Sequence, residues 1–199
     1  MSARPIITVV DLDGTYVRGN TLHIYIRCGM GQMLRRLSFG KLLRTFGLLA
    51  LRRLHIVGHT AMKFGICAMI DPADIRLRRK FKARVEQLIN TDVRKALDKA
   101  DKLLLATAAP DTYVPWIWEG AYVATAMQDN PGRIECRGEE KMRRIRGAVK
   151  YPAELDTLYT DHSDDIPLMK SFYDVVLVSP STETVMKVES LGIRYSIIS

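Results

Sequence analysis

Residues 6–10, Ile-Ile-Thr-Val-Val, form a short apolar, β-branched run that predicts a buried strand. From residue 21 to residue 70 the pattern changes. Leu, Ile, Met and Phe recur at mixed spacings of three and four, as on amphipathic helices, and glycines at 29, 31, 40, 47, 58 and 65 divide the run into short segments. Asn20 is placed to cap the first helix. Asp71-Pro72-Ala73-Asp74 predicts the start of another, with Asp71 as cap and Pro72 in the first turn, running to about Ile89. Thr91 is the expected cap of one more, through Ala100. Beyond residue 100 strands return. Residues 102–106 predict a strand ending at Thr107, followed by a helix from Pro110-Asp111 that carries Val114, Trp116, Ile117 and Trp118. Short strands are expected at 122–126 and 133–136, with a turn at Asn130-Pro131-Gly132. A charged helix over 138–149, a strand over 155–160, a further helix, a strand over 175–179, a helix over 182–191 and a strand over 193–198 complete the chain. Strands alternating with helices predict an α/β fold, a mostly parallel, Rossmann-like sheet with helices on both faces. The expected organisation is a core of residues 1–16 and 101–199, with residues 17–100 inserted as a helical domain.

Composition supports a packed body: 199 residues, 47% hydrophobic and 8% aromatic, place the chain among globular proteins and away from disordered ones. Cys28, Cys67 and Cys136 are odd in number, far apart and without a Cys-x-x-Cys, which argues against a disulfide framework or zinc site and for a reducing compartment. Residues 1–5 lead straight into the first strand, so no signal peptide is expected. No uncharged apolar run approaches the roughly 20 residues that span a membrane. The expected location is cytoplasmic.

Charge sharpens the division. Residues 17–100 hold 18 Lys and Arg against 5 Asp and Glu, a net +13 in a chain whose total is +8. The remainder is therefore mildly acidic, and a basic insert beside an acidic site suits an anionic substrate.

The candidate chemistry begins where the first strand ends, at Asp11-Leu12-Asp13-Gly14-Thr15. Two carboxylates two residues apart point to one side if the extended geometry persists. Packing explains them poorly, and two adjacent negative charges call for a cation; oxygen-only ligands suit Mg²⁺. Gly14 permits a sharp turn and Thr15 adds a hydroxyl. Two more strands should end in polar residues on the same edge, at Thr107 and at Asp161 with Asp165, and Lys141 stands at the start of a helix between them. Carboxylates, a hydroxyl and a lysine are the parts that phosphoryl transfer needs.

In this order the motifs resemble the four motifs of the haloacid dehalogenase superfamily: Asp11-Leu12-Asp13-Gly14-Thr15, Thr107 in Ala106-Thr107-Ala108-Ala109-Pro110, Lys141 in Gly138-Glu139-Glu140-Lys141, then Asp161 with Asp165. The helical insert after the first motif, and the ending Val176-Leu177-Val178-Ser179-Pro180, resemble the phosphoserine-phosphatase-like branch, subfamily IB with a helical C1 cap. The resemblance implies a Mg²⁺-dependent phosphomonoester hydrolase. Asp11 would be the nucleophile that forms an aspartyl-phosphate, and Asp13 the general acid and base. Mg²⁺ would be held by the Asp11 carboxylate, the Asp13 main-chain carbonyl and Asp161. Thr107, Lys141 and the Ala108 amide would hold phosphoryl oxygens, and Asp165 would brace the metal ligands or Lys141. Asp164 stands where relatives often have Asn or Ser. Asn20 occupies the position of a glutamate that binds the substrate amine in phosphoserine phosphatases, which argues against phosphoserine.

The implied substrate is a small anionic phosphorylated metabolite or a phospholipid head group. The insert would close over the site and select the substrate. The alternative is a non-catalytic or regulatory protein of the same fold that associates with an anionic membrane or partner through its basic cap. His55 and His59, four apart, read as surface or core residues because no Glu follows His55. Paired arginines without aromatic interleaving give no expectation of nucleic-acid binding. Residues 33–69 mix basic and apolar side chains, but packing within the insert is the favoured account of them over membrane contact.

Overall fold

The computed structural model describes residues 6–149 and 154–198; residues 1–5, read from the sequence as a direct lead into the first strand, lie outside them. Among the described residues six strands form one parallel sheet in the order β3-β2-β1-β4-β5-β6. They are β1 (Ile6–Val10), β2 (Leu103–Pro110), β3 (Ala121–Thr125), β4 (Glu154–Thr160), β5 (Asp174–Val178) and β6 (Ser196–Ile198). The chain leaves β1 for β2 and β3 on one side, then returns to β4, β5 and β6 on the other. The switch falls at β1, and ligands of such sheets bind at the carboxyl ends of the strands there.

Alternation along the strands divides the core. Ile7, Val9, Leu104, Ala106, Leu158 and Leu177 face a layer made by α6 (Gly138–Ala148), α7 (Ile166–Met169) and α8 (Thr182–Ser190). Val10, Leu105, Ala109 and Val178 face a second cluster that runs without a break into the helices between β1 and β2. Those are α1 (Thr21–Arg35), α2 (Phe39–Arg53), α3 (His59–Cys67), α4 (Ile75–Glu86) and α5 (Thr91–Leu97). Tyr25 of α1 and Phe81 of α4 meet Tyr113 and Trp116 of the β2–β3 connection, with ring centroids 4.8–5.9 Å apart. These offset and edge-on pairs join the insert to the body. The insert's two ends lie side by side, as Val17 bridges Ile89 and the Arg18 N–H donates to the Leu88 carbonyl at 2.7 Å.

Several expected boundaries move, each for a local reason. Asp74, not Asp71, caps α4, accepting from the Arg76 and Leu77 N–H groups. Asp71 closes a turn on Ala73 N–H and pairs with Arg36 instead. Asn90, one residue before Thr91, caps α5. The helix expected after Pro110 is only a 3₁₀ turn, Val114–Trp116. Tyr113, Val114, Trp116 and Trp118 are all buried, so their apolar run reflects burial rather than a helical stripe. Residues 133–136 are not a strand: the Asn130 side chain binds both the N–H and the carbonyl of Ile134, and Arg133 has φ +49°. No helix among the described residues is long and apolar enough to cross a membrane.

Two helical glycines should respond oppositely to alanine. A Cβ on Gly29 of α1 would lie 2.3 Å from Cδ1 of buried Ile70, whereas one on Gly47 of α2 meets nothing within 4 Å. Helix propensity favours alanine at both by about 1 kcal/mol, but overpacking costs about 1–3 kcal/mol. Urea denaturation should show Gly29→Ala less stable than wild type and Gly47→Ala more stable.

Candidate active site

The first loop is wound tightly enough to leave its side chains little choice. Asp11 N–H continues the ladder to the Tyr159 carbonyl of β4 at 2.9 Å. The chain then turns: Tyr16 N–H reaches back to the Asp11 carbonyl at 3.2 Å, and Val17 N–H to that of Leu12 at 2.8 Å. Gly14 takes φ +81°, and a Cβ there would sit 2.0 Å from Oδ2 of Asp161. Glycine is therefore needed for both the turn and the close approach of the β4 carboxylate. Thr15 is buried and its hydroxyl donates to Oδ1 of Asp161 at 3.4 Å. Asp13 accepts the Thr21 N–H at 2.7 Å, which fixes one carboxylate oxygen at the start of α1.

Behind this loop lies a buried charge network. Lys141 is 4% exposed and its Nζ contacts Asp11 Oδ1 and the Asp165 carboxylate, each at 2.8 Å. The Thr160 hydroxyl donates to Asp165 Oδ2 at 2.8 Å. Burial pushes the Asp11 carboxyl up to about 7, against the pull of Lys141 and with a further push from Asp165 and Asp161. Burial also raises Asp13 and Asp161. Burial alone would lower Lys141, but its two carboxylates raise it well above the usual lysine value, so it stays charged.

The β2 end is irregular where it meets the site. Pairing of β2 with β3 slips between Ala106 and Pro110. Such a slip re-aims main-chain groups beside a site. The Ala108 carbonyl accepts Lys63 Nζ at 2.9 Å and the Thr125 hydroxyl at 2.7 Å. The Thr107 hydroxyl oxygen accepts the Ala109 N–H at 3.0 Å, which leaves its own proton to donate elsewhere.

Together these residues line one cavity of about 310 Å³: Asp11, Asp13, Asn20, Thr107, Ala108, Lys141, Asp161, Asp164 and Asp165 all border it. Thr15 stands behind the lining, against Asp161. Asn20 caps α1 through His23 N–H, as expected. Asp164 turns to the rim, 2.5 Å from Nη2 of Arg137 and 2.9 Å from Nδ1 of His162.

The sequence did not single out the other side of the cavity. His59 and Lys63 of α3, with Glu135 and Arg137 of the loop before α6, complete the lining. Lys63 is buried and ion-pairs with Glu135, which also accepts the Thr60 hydroxyl at 2.5 Å and lies 3.7 Å from Nδ1 of His59. Although burial raises it, hydrogen bonds from His59, Lys63 and Thr60 hold the Glu135 carboxyl down at about 2. The available signal was a lone lysine within the apolar run Met62-Lys63-Phe64, but nothing in the chain order joins residues 72 apart. His59 is thus a cavity residue rather than a plain surface one, whereas exposed His55 forms the turn after α2 at φ +60°.

Among the described residues no three His, Cys, Asp or Glu side chains form a ready-made metal cluster. The donor set nevertheless fits a hard cation. Asp161 sits directly over the Gly14 backbone beside Asp11, and the carboxylates of Asp11, Asp161 and Asp165 outnumber the single lysine among them. A divalent ion held by Asp11, Asp161 and the Asp13 carbonyl would offset that excess with oxygen ligands alone.

A family profile described as haloacid dehalogenase-like hydrolase matches residues 8–170. No curated protein matches the chain by sequence. Among solved structures, a protein of unknown function from Bordetella pertussis Tohama I is 18% identical, with a TM-score of 0.75 and 99% of both chains covered. A HAD family hydrolase from Salmonella enterica serovar Typhi is 10% identical at TM-score 0.62, over 98% of this chain and 68% of that one. Phosphoserine phosphatase, in a structure of a phospho-aspartyl intermediate analogue, is 14% identical at TM-score 0.51, over 98% and 94%. These likenesses establish a shared fold.

The Lys63–Glu135 pair should be visible in stability. Lys63→Met leaves a largely buried carboxylate without its main partner, a change that costs about 3–5 kcal/mol in comparable pairs; the retained Thr60 bond places the expected loss at the low end. Glu135, held at about 2 against an ordinary 4.5, adds stability that is complete above 4.5 and fades as pH falls toward 2. The melting-temperature gap between wild type and Glu135→Gln should therefore be widest near neutrality and narrow steadily below pH 4.5.

Proposed function

The chain belongs to the haloacid dehalogenase-like hydrolase family, and from that premise we propose that it is a Mg²⁺-dependent phosphomonoester hydrolase working through an aspartyl-phosphate. The observation that carries this reading is the placement of Lys141 Nζ at 2.8 Å from both Asp11 and Asp165, beneath a cavity that Thr107, Asp13 and Asp161 also line. A nucleophilic carboxylate from the end of β1, a free hydroxyl proton from β2 and a fixed cation from α6 converge there.

The phosphate ester enters with its phosphoryl oxygens toward Lys141, the Thr107 hydroxyl and the Ala108 amide. An Asp11 carboxylate oxygen attacks phosphorus, and the bond from phosphorus to the ester oxygen breaks. Asp13, held through one oxygen by Thr21 N–H, gives its proton to the departing oxygen. It then takes a proton from water as that water attacks the phosphorus of the aspartyl-phosphate. The Asp11–phosphorus bond breaks, and inorganic phosphate leaves with Asp11 restored. Mg²⁺, bound by Asp11, Asp161 and the Asp13 carbonyl, would neutralise charge on the transferring phosphoryl group. Lys141 supplies part of the same stabilisation from a dry site, where it acts at full strength.

Residues 17–100 form the cap domain in this reading, and the body comprises residues 1–16 and 101–199. The cap contributes Asn20, His59 and Lys63 to the cavity. With a divalent cation offsetting the carboxylates of the lining, Lys141 and the Thr107 hydroxyl suit a small anionic phosphorylated metabolite or a phospholipid head group. The Asn20 side-chain oxygen is committed to capping α1, which supports a substrate other than phosphoserine. The free, buried Cys28, Cys67 and Cys136 favour a cytoplasmic setting.

Asp11→Asn should lower kcat for a generic aryl phosphate by about a thousandfold or more while circular dichroism stays native, because an amide cannot form the acyl-phosphate. Turnover within tenfold of wild type would remove Asp11 from the role. In a separate measurement, Mg²⁺ should raise the melting temperature of wild type but leave Asp161→Ala unmoved.

A further inference from the structure

The outer side of α2 is unpartnered. Phe39, Leu43, Phe46 and Ala50 recur at spacings of four, three and four, with Leu54 four further on, and so share one face of the helix. Phe39, Leu43, Phe46 and Leu54 are each more than half exposed, and Leu43 is 74% exposed. Packing of α2 onto α1 and α3 uses a different side, formed by buried Thr45 with Leu42, Leu48 and Leu49. The helix thus carries a second apolar stripe that the fold does not consume, which corrects the expectation that packing within the insert accounts for these residues. Leu37 and Ile56 extend the stripe into the turns at either end, also well exposed. Leu37 does so from a left-handed backbone, φ +53°.

Charge along this stretch of the chain has one sign. From residue 14 to residue 70 the chain contains no Asp or Glu and nine Lys or Arg. Lys41, Arg44 and Arg53 lie exposed on α2 itself, whereas Arg35 and Arg36, which precede it, are paired with Asp74 and Asp71. A second copy of this face would bring the same positive charge to the contact. A bilayer with anionic lipid offers what the surface lacks: hydrocarbon for the stripe and negative head groups for the flanking cations.

We propose that α2 with its two flanking turns is an interfacial anchor that lies flat on an anionic membrane surface. The fifteen residues of α2 are too few to span a bilayer, and their apolar stripe is bordered by cations that stay at head-group level. Leu48 of α2 packs so closely on Gly65 of α3 that a Cβ there would lie 2.9 Å from it. Docking through α2 therefore sets α3, with His59 and Lys63 of the cavity, immediately behind the membrane contact. The anchor stands whether or not the phosphatase reading holds.

Sedimentation of the full chain with phosphatidylcholine vesicles, with and without phosphatidylglycerol, tests the proposal. Wild type should pellet with the anionic vesicles only, and less as salt screens the cations. Leu43→Ser combined with Phe46→Ser should weaken binding about tenfold or more, with circular dichroism and melting temperature preserved. If that variant unfolds, Lys41→Glu with Arg44→Glu serves instead, since both positions are exposed, and it should abolish binding. Three results would overturn the anchor: no pelleting with anionic vesicles, equal pelleting with neutral ones, or undiminished binding by a folded variant. A concentration-dependent dimer that the serine variant abolishes would assign the stripe to a second copy and overturn it as well.

Discussion

Lys141 is the constraint around which the site is arranged. A buried ammonium is costly to desolvate, and its cost is offset only by oxygen partners held in place from several directions. Asp11 comes from the end of β1 and Asp165 from the turn beyond β4, and Thr160 fixes Asp165 in turn. None of the three elements can shift relative to the others without stranding a charge. The same network leaves Asp11 and Asp161 on one cavity with an excess of negative charge, so the arrangement that stabilises the lysine does not by itself balance the carboxylates.

The helical insert is bound to this centre by two different kinds of contact. Tyr25, Phe81, Tyr113 and Trp116 form an aromatic layer well away from the charges. Nearer the cavity, Lys63 of α3 joins the Ala108 carbonyl of β2 to Glu135. Apolar area supplies most of the adhesion, since it acts without orientation. The Lys63 contacts add direction: they set which turn of α3 faces β2.

Much of this was legible in the sequence, for physical reasons that can be named. Strand β1 reads clearly because five apolar or β-branched residues end abruptly in two acids, and the alternation after residue 100 gives the parallel sheet. The motif residues Asp11, Asp13, Thr107, Lys141, Asp161 and Asp165 do gather around one cavity. Local caps were less legible. Asn20 was found, but Asp71 and Thr91 were preferred to Asp74 and Asn90, because composition cannot distinguish two capable residues that lie close together in the chain. The region 110–118 misled because side chains buried on every side imitate a helical period. Lys63 with Glu135 was invisible, as an ion pair between distant segments leaves no trace in spacing. The stripe on α2 was visible as a pattern, but whether it was covered depended on how three helices pack, which only the fold decides.

The slip in β2 between Ala106 and Pro110 has a dynamic consequence. The Ala108 carbonyl accepts both Lys63 of α3 and the Thr125 hydroxyl of β3, so the main chain beside Thr107 is cross-linked to the insert as well as to the sheet. The two belong to one cooperative opening unit, so amide hydrogens of α3 and of the 107–109 segment should exchange together. Moving α3 away from β2 would break the Lys63 contacts with the Ala108 carbonyl and with Glu135 and leave a largely buried carboxylate short of its partner. The ion pairs of Asp164 with Arg137 and His162 at the cavity rim lie outside that cross-link.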